Sequence, residues 1–122
     1  MPTRILIVDD DERFRALARA LLEAWGHAVV GEAADGEQAL AAARRLHPDT
    51  ALVDVQLPDT TGFALARRLI DGNRGVRIVL TSTDPTLGAG AAIADSGAVA
   101  FVPKDQLAIS DLATWLDRRS SG

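Results

Sequence analysis

The chain has 122 residues, 48% of them apolar and 25% charged, with a net charge of −4. That is one domain with ample core material, and the acidic balance without a basic cluster excludes a nucleic-acid footprint. There is no cysteine, which excludes a disulfide framework and thiolate metal sites and leads us to expect a reducing cytoplasm, and no apolar run approaches the ~20 residues of a membrane span.

The first element is an apolar run at residues 5–8 that reads as a fully buried strand and ends abruptly in "DDDE". Like charges ~4 Å apart repel by about 4 kcal/mol at an effective dielectric of ~20, so such a block needs water or a cation. Residues 11–24 place Phe14, Leu17, Leu21 and Leu22 at helical spacing, and Gly26 marks the stop. "HAVVGEA" reads as a second strand. "DGEQALAAARRL" reads as a helix with Asp35 as N-cap and Pro48 beyond its end. "TALVDV" is a third strand, "LPDTTG" a turn, "FALARRLI" a helix broken by "DGNRG", and "VRIVLTS" a fourth strand. "DPTLGAGAAIADSG" is a weak helix, because Gly88 and Gly90 each cost about 1 kcal/mol relative to Ala in a helix interior. "AVAFV" is a fifth strand and "LAISDLATWLDRR" a closing helix. Five repeats of strand then helix predict an α/β fold, with a five-stranded parallel sheet doubly wound by helices on both faces. We expect one domain over residues 1–119 and a frayed tail at 120–122.

In open parallel sheets, sites lie beyond the carboxyl ends of the strands. This puts Asp9 and Asp10 after strand one, Asp54 near the end of strand three, Thr81 and Ser82 at the end of strand four, and Lys104 after strand five on one rim. Asp11 and Glu12 are explained as the acidic first turn of a helix. Asp9, which directly follows the strand, is not, and Asp54 interrupts an apolar strand between two valines, where an acid is unfavourable unless paired or liganded. Lys104 is the only lysine beside 12 arginines. Chance is the plain account, and a need for a compact ammonium on a flexible stem is the other. Three carboxylates at one point suit a hard divalent cation such as Mg²⁺. His27 and His47 fall outside this rim and read as surface or packing residues. Without a glycine-rich loop after strand one, dinucleotide binding is disfavoured.

"VDD" closing strand one, "LVDVQLPDTTG" around strand three, a hydroxyl ending strand four and "GAVAFVPK" across strand five together make the chain resemble the receiver domain of two-component response regulators, over essentially its whole length. The resemblance implies the sheet order 2-1-3-4-5 of flavodoxin-like folds. It also implies Asp54 as phosphoacceptor, and Mg²⁺ (or Mn²⁺) held by Asp9, Asp10, Asp54 and the Gln56 carbonyl, with Asp10 the more direct ligand of the acid pair. Lys104 would pair with the acids at rest and with phosphoryl oxygens afterwards. Loop lengths counted from Gly62 and Lys104 favour Ser82 over Thr81 as the switch hydroxyl. Phe101 matches the aromatic switch position, with a plain core role as the alternative. Gln56 and Asp84 stand where the family tunes dephosphorylation, with ordinary loop polarity as theirs.

The implied partners are a sensor histidine kinase or phosphotransfer protein and a downstream target protein, with room for a phosphorylation-dependent homodimer and none for direct nucleic-acid or membrane binding. Such a protein catalyses its own phosphorylation and autodephosphorylation without being a conventional enzyme. Met1 and the short tail lead us to expect a stand-alone regulator. Two alternatives stand beside this reading. One is a receiver-like protein-binding module that is not phosphorylated, against which the intact acid set argues. The other is a Mg²⁺-dependent phosphohydrolase, disfavoured by the lack of a second acid two residues after Asp54 and of a capping insertion. One departure from the family is local: Pro103 precedes Lys104 and Asp105 follows it, where many receivers carry a proline after the lysine.

Overall fold

The computed structural model describes residues 2–88 and 90–107. Strands β1 (Arg4–Val8), β2 (Ala28–Ala33), β3 (Thr50–Asp54), β4 (Arg77–Ser82) and β5 (Ala100–Pro103) form one sheet in the order β2-β1-β3-β4-β5. Every neighbouring pair is parallel. Helices α1 (Glu12–Ala24), α2 (Gly36–Leu46), α3 (Gly62–Gly72) and α4 (Ala91–Ser96) fill the connections. The expected order and layering are present. The expected closing helix lies, apart from Leu107, outside the described residues, as does the tail.

Strand alternation sorts the core into two layers. Leu6, Val8, Ala51, Val53, Ile78 and Leu80 face one way and meet Ala39 and Ala42 of α2 and Leu65, Ala66 and Leu69 of α3, with Ile93 of α4 at the margin. Ile5, Ile7, Leu52, Val79 and Val102 face the other way and meet Phe14, Ala18 and Leu22 of α1, with Leu107 fully buried among them. Because both faces are covered, the strands carry apolar residues in both parities. That pleat also decides what happens at the strand ends. Asp9, Asp54 and Thr81 each stand two residues beyond a side chain of the α1 layer, so they share its face.

The helix starts follow their caps. Asp11 is the N-cap of α1 and accepts from the Arg13 and Phe14 amides, while Asp35 caps α2 through Gln38 and Thr61 caps α3 through Ala64. Leu17 of α1 is 51% exposed, because the buried stripe of the helix runs through Phe14, Ala18 and Leu22. The expected fourth helix is corrected. The weak fourth helix is a 3₁₀ turn at Pro85–Gly88 followed by the short α4, whose N-cap Gly90 has φ 116° and offers no side-chain cap. A left-handed glycine cannot continue a right-handed helix, so the segment splits there. Strand five starts later than expected and takes in Pro103, which an edge strand tolerates at its end.

Candidate functional site

The sheet leaves a rim where β1, β3, β4 and β5 end side by side. On β1, the Asp9 amide still bonds to the Ala33 carbonyl at 3.0 Å, so the strand geometry carries through to Asp9. Its side chain is buried, with Oδ1 accepting from the Asp11 amide at 2.8 Å. Asp10 comes next on the chain and turns outward. It is exposed, and its carboxylate makes no hydrogen bond or ion pair among the described residues. Asp54 ends β3 at 6% exposure and accepts from the Gln56 amide at 3.2 Å. One carboxylate oxygen from each of Asp9, Asp10 and Asp54 lies within 4.8 Å of the other two.

Lys104, which opens a 3₁₀ turn after β5, reaches back across 50 residues of sequence. Its Nζ is 2.7 Å from Asp9 Oδ2 and 3.3 Å from Asp54 Oδ2. The buried Asp9 Oδ2 thus has the Lys104 ammonium as its ionic partner. The ammonium also stands 4.5 Å from the centre of the Phe14 ring, within cation–π range. All described peptide bonds around this turn are trans, and Asp105 therefore follows Lys104 with no obstacle to the reach.

The electrostatics follow from burial and like charge. Burial first, and the Asp9 carboxylate second, push the Asp54 carboxyl above the usual range, and Lys104 offsets only part of this. Burial works to lower the Lys104 pKa, but the contacts with Asp9 and then Asp54 outweigh it and raise it. The acids fit a hard divalent cation on the chain's own chemistry. All the donors are carboxylate oxygens, the Asp10 carboxylate has no partner among the described residues, and ligands across an octahedral Mg²⁺ stand ~4.1 Å apart.

The remaining sequence-selected residues divide between the two faces. Thr81 is the register partner of Asp54 and shares its face; its buried Oγ1 has no hydrogen-bond partner among the described residues. Ser82 points to the opposite face, with Leu80 and the partly buried Phe101, the register partner of Leu80. Ser82 Oγ is buried and accepts from the Asp84 amide at 3.0 Å, while its own proton has no acceptor among the described residues. The exposed Asp84 carboxylate accepts from the Thr86 hydroxyl at 2.6 Å and amide at 3.0 Å. The Thr86 hydroxyl, then the amide, hold that carboxyl below the usual range. Gln56 is exposed and forms an isolated antiparallel bridge to Thr61.

Two contributors escaped the sequence reading. Phe14 read as core, and only the return of β5 to the rim brings a lysine over its ring. Asp59, in the turn after β3, accepts from the Gly36 and Glu37 amides at 2.8 and 3.0 Å and so ties that turn to the start of α2. The Gly36 amide is the main cause of its lowered pKa.

Three comparisons bear on this arrangement. The model of the response regulator receiver domain matches residues 5–116. The gliding motility regulatory protein of Myxococcus xanthus is 39% identical over 94% of this chain, which covers 15% of that protein. More generally, the chain spans between 15% and 49% of the lengths of the first three curated relatives it matches. Among solved structures, the signal receiver domain of the response regulator NarL from Mycobacterium tuberculosis superposes with a TM-score of 0.83 at 29% identity, covering 99% of this chain and 98% of that one. The response regulator TrrA from Thermotoga maritima, solved in complex with Mg²⁺–BeF, has a TM-score of 0.83 at 22% identity, covering 96% of this chain and 98% of that one. With the sheet order already agreeing, the match across residues 5–116 settles the family: the chain belongs to the response regulator receiver domains.

Proposed function

We propose that the chain is a phosphoacceptor signalling domain in which Asp54 takes a phosphoryl group from a histidine kinase or phosphotransfer protein. One observation carries this reading: three carboxylates from two strand ends converge within 4.8 Å, and the only lysine of the chain is ion-paired to two of them. Phosphoryl transfer asks for positioning and charge neutralisation more than for covalent work by the protein, and this rim offers both.

An Asp54 carboxylate oxygen attacks the phosphorus of a phosphohistidine, or of a small donor such as acetyl phosphate. The new O–P bond forms as the donor's P–N or P–O bond breaks, and the leaving group keeps the electron pair. Asp9, Asp10, Asp54 and the Gln56 carbonyl would hold Mg²⁺, which supplies Lewis-acid neutralisation of phosphoryl charge. TrrA, which shares the fold, is solved with Mg²⁺–BeF; for this chain we take Mg²⁺ on the fit of its own donors, which Mn²⁺ also suits. Lys104, already between Asp9 and Asp54, offsets charge on the product oxygens. The unspent proton of Ser82 turns to the new acceptors, and Phe101 on the same face repacks. The surface of α4, β5 and the segment after it then shifts population toward a state read by a downstream target. Gln56 and Asp84 flank the route of water to the acyl phosphate and set its lifetime.

The test is incubation with acetyl phosphate and Mg²⁺ followed by intact-mass measurement. We expect a gain of one phosphoryl group in the wild type and none in Asp54→Asn. No gain with any donor in the presence of Mg²⁺ would leave the chain a receiver-fold binding module.

A further inference from the structure

Asp10 is the least restrained of the three acids, since its carboxylate has no partner among the described residues. Its direction is therefore set by the backbone that delivers it, and the peptide joining Asp9 to Asp10 is held from a second side. The Asp9 carbonyl accepts from Arg15 Nη1 at 2.6 Å. The Nε of the same guanidinium donates to Glu32 Oε1 at 3.0 Å, and the Arg15 side chain is 16% exposed. The other Glu32 oxygen accepts from Arg19 Nε at 2.8 Å, one helical turn further along α1. Both oxygens of the Glu32 carboxylate on β2 are thus anchored, and burial of that carboxyl is outweighed by Arg19 and Arg15.

The peptide unit is planar, so fixing its carbonyl oxygen fixes the plane and the departure of the next Cα. A rigid fork braced on a neighbouring strand does this better than a flexible donor would. We infer that Arg15, braced by Glu32, is a positioning residue that locks the Asp9–Asp10 peptide and thereby sets the affinity of the acid cluster for its divalent cation. The inference rests on the reading under Proposed function, and it concerns residues that the sequence did not single out.

Charge and geometry predict opposite signs, which makes the inference testable. Removing a cation near three carboxylates would by charge alone tighten Mg²⁺ binding; releasing the clamp would weaken it. Calorimetric titration of the full chain with MgCl₂ is expected to show roughly tenfold weaker binding in Arg15→Met, the scale seen when partners that orient metal ligands are lost. Arg15→Lys, which keeps the charge but not the fork, should also bind more weakly than wild type, and Glu32→Gln, which keeps an oxygen acceptor, should fall between. In the metal-free protein, hydrogen exchange of the Asp11 amide, bonded to Asp9 Oδ1, should accelerate in Arg15→Met while amides of α3 keep wild-type rates. Tighter or unchanged Mg²⁺ binding in Arg15→Met, or wild-type binding in Arg15→Lys, would overturn the inference. Should Arg15→Met not fold, Arg15→Lys and Glu32→Gln decide by the same measure. If the wild type neither binds Mg²⁺ nor gains a phosphoryl group, the site reading falls and takes this inference with it; if it does both and all variants match it, the inference alone falls.

Discussion

Asp54 combines 6% exposure with a second carboxylate as neighbour, and its raised pKa means that the ionised form is the less stable partner of the fold. The sign follows from linkage. A carboxyl raised in the folded state favours the fold when protonated, below its unfolded pKa of ~3.9, and loses that contribution as pH rises through the folded pKa. Asp54→Asn removes the titration. In the absence of divalent cations, the variant should melt a few degrees above wild type at pH 7, and the gap should close as pH falls through the acid range; thermal melts at stepped pH check this. Thr81 gives a second prediction. Its buried hydroxyl has no partner among the described residues, and an unsatisfied group of this kind destabilises by about 1–3 kcal/mol. Thr81→Val should therefore raise the urea midpoint and leave labelling of Asp54 intact. Loss of labelling, or of the phosphorylation-induced change in surface, would instead move the switch from Ser82 to Thr81.

At the scale of elements, the turn between β3 and α3 closes tightly on the site. The Gly62 amide donates to the Val55 carbonyl at 2.7 Å, and Gln56 bridges to Thr61. A Cβ on Gly62 would meet the Asp54 carbonyl oxygen and stand 2.8 Å from Val55 Cα, both backbone atoms with no freedom to step aside. Gly62→Ala should cost about 1–3 kcal/mol, the usual range for overpacking, seen as a lower midpoint in chemical denaturation. Because the intruding atom presses on the residue that follows Asp54, the phosphorylation rate should fall as well. The same turn carries Asp59, so α2, α3 and the end of β3 share one backbone junction.

For the molecule as a whole, the rim places three negative charges against one lysine in a partly buried setting. A cation that binds only the folded form stabilises it by mass action, about 2.7 kcal/mol at a hundredfold excess over Kd. Thermal melts with and without MgCl₂ should show a higher Tm with the ion for wild type, and a smaller rise for Asp10→Asn, which removes a carboxylate without disturbing any contact among the described residues. An equal rise in both would mean that the ion stabilises the chain elsewhere.

Local chemistry decided much of this protein before any contact was known. Apolar runs of three to five residues, caps at Asp11, Asp35 and Thr61, and glycines at the stops specify elements because they act within a few residues of backbone. Buried-strand composition then implies a parallel sheet, and a parallel sheet implies a rim that gathers Asp9, Asp10, Asp54 and Lys104. What local pattern does not contain is the parity and reach of side chains between elements. Leu17 is apolar yet solvent-facing, and the residues from Pro85 to Ser96 split at Gly90 where one helix was expected. Thr81 and Ser82 are adjacent and both hydroxylic, and only strand register separates them, one beside Asp54 and the other beside Phe101's face. Likewise Phe14 under Lys104 and Arg15 between Glu32 and the Asp9 carbonyl exist only once α1 has packed. Those pairings join residues far apart in sequence, and their geometry is set by the docking of whole elements on the sheet.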